Sequence, residues 1–131
     1  MNRARVLLAD DHSAVLDRVS ALLSATFEVV GAVSDGRELI FAGKRLDPDV
    51  IVADITMPRL SGIEAAHQLR EAGFRAKFVF LTIHVEREFV DACVAEGALG
   101  YVLKSHMKTD LIPAIQGALI GRTFISALVL R

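Results

Sequence analysis

The chain has 131 residues, 53% of them hydrophobic, and a net charge of −1. That length suits one domain with a substantial core and leaves no room for a second sizeable one. The near-neutral balance argues against a globally basic surface for nucleic acid or anionic membrane, and the single cysteine, Cys93, excludes an internal disulfide and fits a reducing cytosol.

The N-terminus offers only Val6–Ala9 before Asp10, shorter than the roughly 7–15 apolar residues at the centre of a signal peptide. No stretch approaches the ~18 apolar residues of a membrane span. The expectation is a cytoplasmic protein with no membrane partner.

Five short apolar runs are expected as buried strands, alternating with helical patterns. Arg5–Ala9 comes first and ends at Asp10-Asp11. Val15, Val19, Leu22 and Leu23 then form one apolar stripe at helical spacing. Phe27–Val33 is the second strand. Ser34-Asp35 with Glu38 marks a helix start, followed by Leu39, Ile40 and Phe41. Asp49–Ala53 is the third strand and ends at Asp54. Ile63, Ala66, Leu69 and Arg70 predict a helix that stops near Gly73. Lys77–Leu81 is the fourth strand, followed by Thr82. Phe89, Val90, Cys93 and Val94 predict a helix ending at Gly97, with Cys93 as core filler. Leu99–Leu103 is the fifth strand, followed by Lys104. Leu111, Ile112, Ile115, Ala118 and Leu119 predict a last helix ending at Gly121, with Thr109 as its cap and Pro113 near its first turn. The tail 122–131 is apolar at Phe124, Ile125, Leu128, Val129 and Leu130. It reads as an ordered linker, an extra helical turn or the start of something longer.

The strands lack polar alternation, as expected when both faces are covered. Strand–helix repeated five times calls for a parallel sheet between two helix layers. In such sheets ligands bind at the carboxyl ends of the strands. Asp10, Asp11, Asp54, Thr82 and Lys104 all fall there. Three carboxylates in one crevice repel one another and call for a divalent cation. One carboxylate can act as a nucleophile, while a hydroxyl and an ammonium can hold phosphoryl oxygens. Taken singly, each has an ordinary reading: a turn aspartate, a cap of the first helix, a structural threonine, a solvated lysine. His12, His67, His84 and His106 show no metal-ligand spacing and read as local polar residues. Gly62 reads as a backbone requirement near the third helix. Neither a P-loop nor a Gly-x-Gly-x-x-Gly turn is present.

The sequence resembles the receiver domain of bacterial two-component response regulators as far as about Gly121. The matching elements are Leu8-Ala9-Asp10-Asp11-His12, Asp54-Ile55-Thr56-Met57-Pro58 with Gly62, Thr82-Ile83-His84, and Gly100-Tyr101-Val102-Leu103-Lys104-Ser105. The Asp-Asp-His start, the Gly-Tyr-Val-Leu-Lys string and Phe124-Ile125-Ser126 resemble the subfamily with a C-terminal helix-turn-helix output domain, which this chain lacks. The resemblance implies a flavodoxin-like, doubly wound, five-stranded parallel sheet of order 2-1-3-4-5 with five helices in three layers. It implies a receiver domain over 1–121, with 122–131 an extension or the start of a linker.

It also implies that Asp54 is the phosphoacceptor for a sensor histidine kinase. Mg²⁺ would be held by Asp11, Asp54 and the backbone carbonyl of Thr56, and by Asp10 through water. Lys104 and Thr82 would each hold a phosphoryl oxygen. Thr82 and Tyr101 would relay the change to the face formed by helix four, strand five and helix five. The implied partners are the kinase, a second copy on phosphorylation, and DNA only through the missing output domain. Ile83 is bulky for its position and should slow access of small phosphodonors and water. Val85 replaces an acidic residue and should make the helix-four face more adhesive. An aspartyl phosphatase needs a second acid where Thr56 stands, so a turnover enzyme is not expected. The other alternative is a phosphorylation-independent adaptor that keeps the site as a relic.

Overall fold

A computed structural model describes residues 3–130. The elements run β1 (Arg5–Ala9), α1 (Ser13–Leu23), β2 (Glu28–Val33), α2 (Gly36–Leu46), β3 (Val50–Ala53), α3 (Gly62–Glu71), β4 (Lys77–Thr82), α4 (Arg87–Ala95), β5 (Gly100–Leu103), α5 (Met107–Leu119) and β6 (Phe124–Ile125). Short 3-10 turns occupy Lys104–His106 and Ala127–Leu130. Among the described residues there is one sheet of order β2-β1-β3-β4-β5-β6, with every neighbouring pair parallel. The five expected strands are present in the expected order. The addition is β6, drawn from the expected tail. Residues 1, 2 and 131, which the sequence reading assigned to the two ends, lie outside the described residues.

Alternation along each strand sorts the core into two layers. Leu7, Ala9, Ile51, Ala53, Phe78, Phe80, Tyr101 and Leu103 face α2, α3 and α4. Val6, Leu8, Val50, Val52, Val79, Leu81 and Val102 face α1 and α5. A fully buried side chain of this size contributes roughly 1.5–3 kcal/mol. An exposed ion pair contributes about 0–1 kcal/mol. The core, and not surface charge, therefore fixes where the strand ends lie.

Local signals act as read at α2. Asp35 Oδ1 accepts the Glu38 amide at 2.8 Å, and Glu38 Oε1 accepts the Ser34 amide at 2.9 Å. Gly73, Gly97 and Gly121, all at positive φ, follow α3, α4 and α5. The start of α5 differs from expectation. The 3-10 turn at Lys104–His106 runs directly into a helix that begins at Met107, with His106 as its N-cap. Thr109 is therefore inside the first turn, its hydroxyl donating back to the His106 carbonyl at 3.2 Å, and is not the cap. Pro113 lies in the helix interior, on its exposed side, where the missing N–H leaves one rung unmade. Helix α1 begins after His12 without a side-chain cap, so Asp10 and Asp11 are not spent on capping it.

The tail is ordered against the sheet edge. The Phe124 amide donates to the Leu99 carbonyl at 2.8 Å, and Val129 is buried in the core layer that contains Tyr101. Among the described residues no helix is long and apolar enough to cross a membrane.

Helices α3 and α4 are tied at one end by His67 Nδ1 against Glu96 Oε1 at 2.9 Å, with Arg70 Nη2 on the same oxygen at 3.1 Å. The Glu96 hydrogen bond holds the His67 imidazole above its ordinary 6.5. A raised base pKa stabilises the fold fully below the unfolded value, and that contribution is lost as pH climbs through the folded one. The excess urea midpoint of the native chain over a His67→Gln variant should therefore be larger near pH 5.5 than at about pH 8.5.

Candidate functional site

The Asp10 amide donates to the Val33 carbonyl at 3.0 Å, and the Asp54 amide donates to the Ala9 carbonyl at 2.9 Å. These bonds continue the β1–β2 and β3–β1 ladders by one residue, so both aspartates stand at the carboxyl edge of the sheet's centre. They are 3% and 6% exposed. Lys104, one residue past β5, places its Nζ 2.8 Å from Asp10 Oδ2 and 3.0 Å from Asp54 Oδ2. The contact with Asp54 is a hydrogen bond. The contact with Asp10 is a buried ion pair, so the same ammonium faces both carboxylates. Asp10 Oδ1 accepts the His12 amide at 2.9 Å, and Asp54 Oδ1 accepts the Ile55 amide at 2.7 Å.

Burial pushes the Asp54 carboxyl above its ordinary 3.8, Lys104 opposes the rise, and Asp10 adds to it. For Lys104, burial disfavours the charge, and the two carboxylates outweigh burial, so the ammonium is held above its ordinary 10.5. One cation thus serves two buried anions, and Asp11 adds a third, partly exposed anion at the rim.

Asp10, Asp11, His12 and Asp54 each offer a ligand atom, all within 4.8 Å of one another. Three of the four are carboxylates, hard oxygen donors that suit Mg²⁺ better than a soft metal. Asp10 Oδ2 faces the Lys104 ammonium alone, and a carboxylate oxygen has two lone pairs, so it keeps acceptor capacity for such an ion or its water. The residues present fit a hard divalent cation.

A cleft of about 220 Å³ opens beside this cluster, lined by Asp11, His12, Asp54, Thr56, Ile83, His84 and Lys104. Ile83 lines it but is 72% exposed. Thr82 is fully buried, and its Oγ1 accepts the His84 amide at 3.2 Å. Tyr101 points inward at 2% exposure and donates its hydroxyl to the His84 carbonyl at 2.9 Å. Burial raises the Tyr101 phenol, which stays a neutral donor. Burial also pushes the Cys93 thiol up to about 12, in keeping with its reading as core.

The structure therefore brings Asp10, Asp11, Asp54 and Lys104 into one cluster and joins Thr82 to Tyr101 through His84. The sequence predicts His12 and His84 as surface or local polar residues, with His84 close to Thr82. His84 does more: its Nε2 lies 3.2 Å from Thr56 Oγ1, and its ring stacks on Phe89 with centroids 4.0 Å apart. Their positions, two residues after Thr82 and directly after Asp11, are the only signal the sequence carried for them.

Residues 6–116 match the response regulator receiver domain. The chain belongs to the response regulator receiver family. The transcriptional regulatory protein MctR of Rhizobium johnstonii is 37% identical over 128 residues, which cover 95% of this chain and 59% of MctR. The nitrate/nitrite response regulator NarL of Escherichia coli is 34% identical over 125 residues, 94% of this chain and 58% of NarL. The chain thus spans under two thirds of these curated relatives. A solved LuxR-family two-component response regulator from Aurantimonas sp. SI85-9A1 superposes with a TM-score of 0.93 at 31% identity, covering 98% of this chain and 94% of that one. The isolated receiver of RcsB from Salmonella enterica serovar Typhimurium, solved in the presence of phosphomimetic BeF3−, gives 0.89 at 28% identity, covering 99% and 98%. Relatives of this receiver are two-component transcriptional regulators.

The loop from β3 to α3 closes directly on the backbone at Asp54 and Ile55. The Gly62 amide donates to the Ile55 carbonyl at 2.7 Å, and a Cβ on Gly62 would fall 2.0 Å from the Asp54 carbonyl oxygen. Gly62→Ala must displace that loop and should cost about 3 kcal/mol in a urea titration, the upper end for overpacking.

Proposed function

We propose that this chain is the phosphoryl-accepting switch of a two-component transcriptional regulator, with Asp54 as the acceptor. The observation that carries the reading is the Lys104 ammonium shared between Asp54 and Asp10 at the mouth of the cleft. A fixed ammonium beside a carboxylate can receive the charge of an incoming phosphoryl group without reorganising. The Asp54 carboxylate attacks phosphorus in a phosphohistidine of a sensor kinase. The P–N bond breaks, an acyl phosphate forms, and the imidazole leaves with a proton. Lys104 holds one phosphoryl oxygen and Thr82 donates to another once its hydroxyl turns from the His84 amide. Asp11, Asp54 and the Thr56 carbonyl would hold Mg²⁺, with Asp10 acting through water. The ion would offset repulsion between the two anionic reactants. Thr56 cannot protonate a leaving group, which favours a switch over a turnover enzyme.

On this reading Thr82 and Tyr101 relay the change through the His84 carbonyl and amide to α4, β5 and α5. The receiver spans 1–121 and works in the cytoplasm. Residues 122–131 are an extension or the start of a linker toward a DNA-binding output, with β6 (Phe124–Ile125) paired to β5, and phosphorylation promotes pairing with a second copy.

Acetyl phosphate with Mg²⁺ should label the native chain at Asp54, and chelation or Asp54→Asn should abolish the label, as read by intact mass. Label on the Asn variant at the same position would sink the reading. Tyr101→Phe should accept phosphate normally yet lose the phosphorylation-dependent amide shifts at His84 and Phe89, because the hydroxyl tie to that loop is gone.

A further inference from the structure

Strand β6 makes two ladder pairs with β5, Gly100 with Phe124 and Tyr101 with Ile125. The Ser126 amide then donates to the Tyr101 carbonyl at 2.9 Å. A continuing ladder would bring the Leu103 amide to the Ser126 carbonyl. That carbonyl accepts the Val129 amide at 3.1 Å instead, as the chain turns into its last 3-10 turn. The Ser126 hydroxyl takes its place and accepts the Leu103 amide at 3.1 Å. The hydroxyl's own proton goes to Asp110 Oδ2 on α5 at 2.7 Å. Asp110 Oδ1 also lies 3.0 Å from the Thr109 hydroxyl oxygen.

A serine hydroxyl has one proton to give. Asp110 takes it, which leaves a lone pair aimed at Leu103. Ser126 is 0% exposed, so solvent does not stand in for either partner. The tail residue thus grips β5 on both sides of Val102 and ties it to α5. Lys104 is the next residue, where the chain leaves the sheet. Its ammonium sits at the end of a four-carbon stem that has no rigid fork to orient it. The backbone from which it starts must therefore be held.

We infer that Ser126 and Asp110 are positioning residues for Lys104. They fix the backbone at Leu103 so that the ammonium meets Asp54 and Asp10 in the cleft. The inference rests on the phosphoacceptor reading and makes the segment beyond α5 part of the support of the site. Neither side chain touches the phosphoryl group; both act through Leu103.

The test is titration of the chain with beryllofluoride in saturating Mg²⁺, followed by ¹⁹F NMR, with Mg²⁺ alone titrated separately by amide shifts. Ser126→Ala and Asp110→Leu should each weaken beryllofluoride binding about tenfold, in the range seen when an outer support of a site is removed. Asp110→Asn keeps an acceptor oxygen and should bind like the native chain. Mg²⁺ alone should bind the variants no more weakly. In a Lys104→Ala background, Ser126→Ala should add nothing, since the residue it positions is gone. The same loss in both backgrounds, a parallel loss of Mg²⁺ affinity, or unchanged beryllofluoride binding would overturn the inference. Failure of the native chain itself to bind beryllofluoride would instead overturn the phosphoacceptor reading, and this inference with it.

Discussion

One ammonium shared by two buried carboxylates organises this protein. Lys104 cannot neutralise Asp10 and Asp54 together, and burial raises the cost of every charge left over. The surplus is negative, and it faces a cleft. Buried ion pairs contribute little net stability compared with apolar residues of the same volume. The cluster is therefore poorly explained by folding alone, and the proposed switch gives it a cation and a phosphoryl group to hold. Hydrophobic packing holds it in place, because the strands that deliver the three side chains are clamped between two apolar layers.

His84 connects this cluster to the rest of the molecule. Its amide, carbonyl and ring contact Thr82, Tyr101, Thr56 and Phe89 respectively, with the ring meeting the last two. Both backbone atoms of one residue therefore bind the two side chains proposed as the relay. The same short segment thus carries the partners of both Thr82 and the Tyr101 hydroxyl.

Much of this was legible in the sequence. The apolar runs ended in Asp10, Asp54, Thr82 and Lys104, and the parallel topology that the strand–helix alternation demands brings such ends together. The reading failed where a pattern had no length to express itself. Strand β6 is two residues, below anything periodicity can detect. The start of α5 was misplaced because a 3-10 turn, which leaves no hydrophobic period of its own, runs straight into the helix. Ser126 stood out in the sequence only as the end of the Phe124-Ile125-Ser126 string, and only geometry shows its hydroxyl replacing a backbone carbonyl. The contacts of His12 and His84 are made from loops, which carry no hydrophobic period, so spacing alone could not place them.

The uneven finish of the sheet has a consequence for solubility. An exposed strand flank is a template for aggregation, recruiting foreign chains through its free amides and carbonyls. On one side the flank belongs to β6, too short to offer a run of such groups, and the chain curls away at once into a 3-10 turn. On the other side it belongs to β2, which opens on the charged Glu28 and whose pairing with β1 slips between Val6 and Leu7. A slipped register bends and twists the strand. Neither border is long, flat and apolar, so a molecule with so greasy a core is built to resist stacking edge to edge.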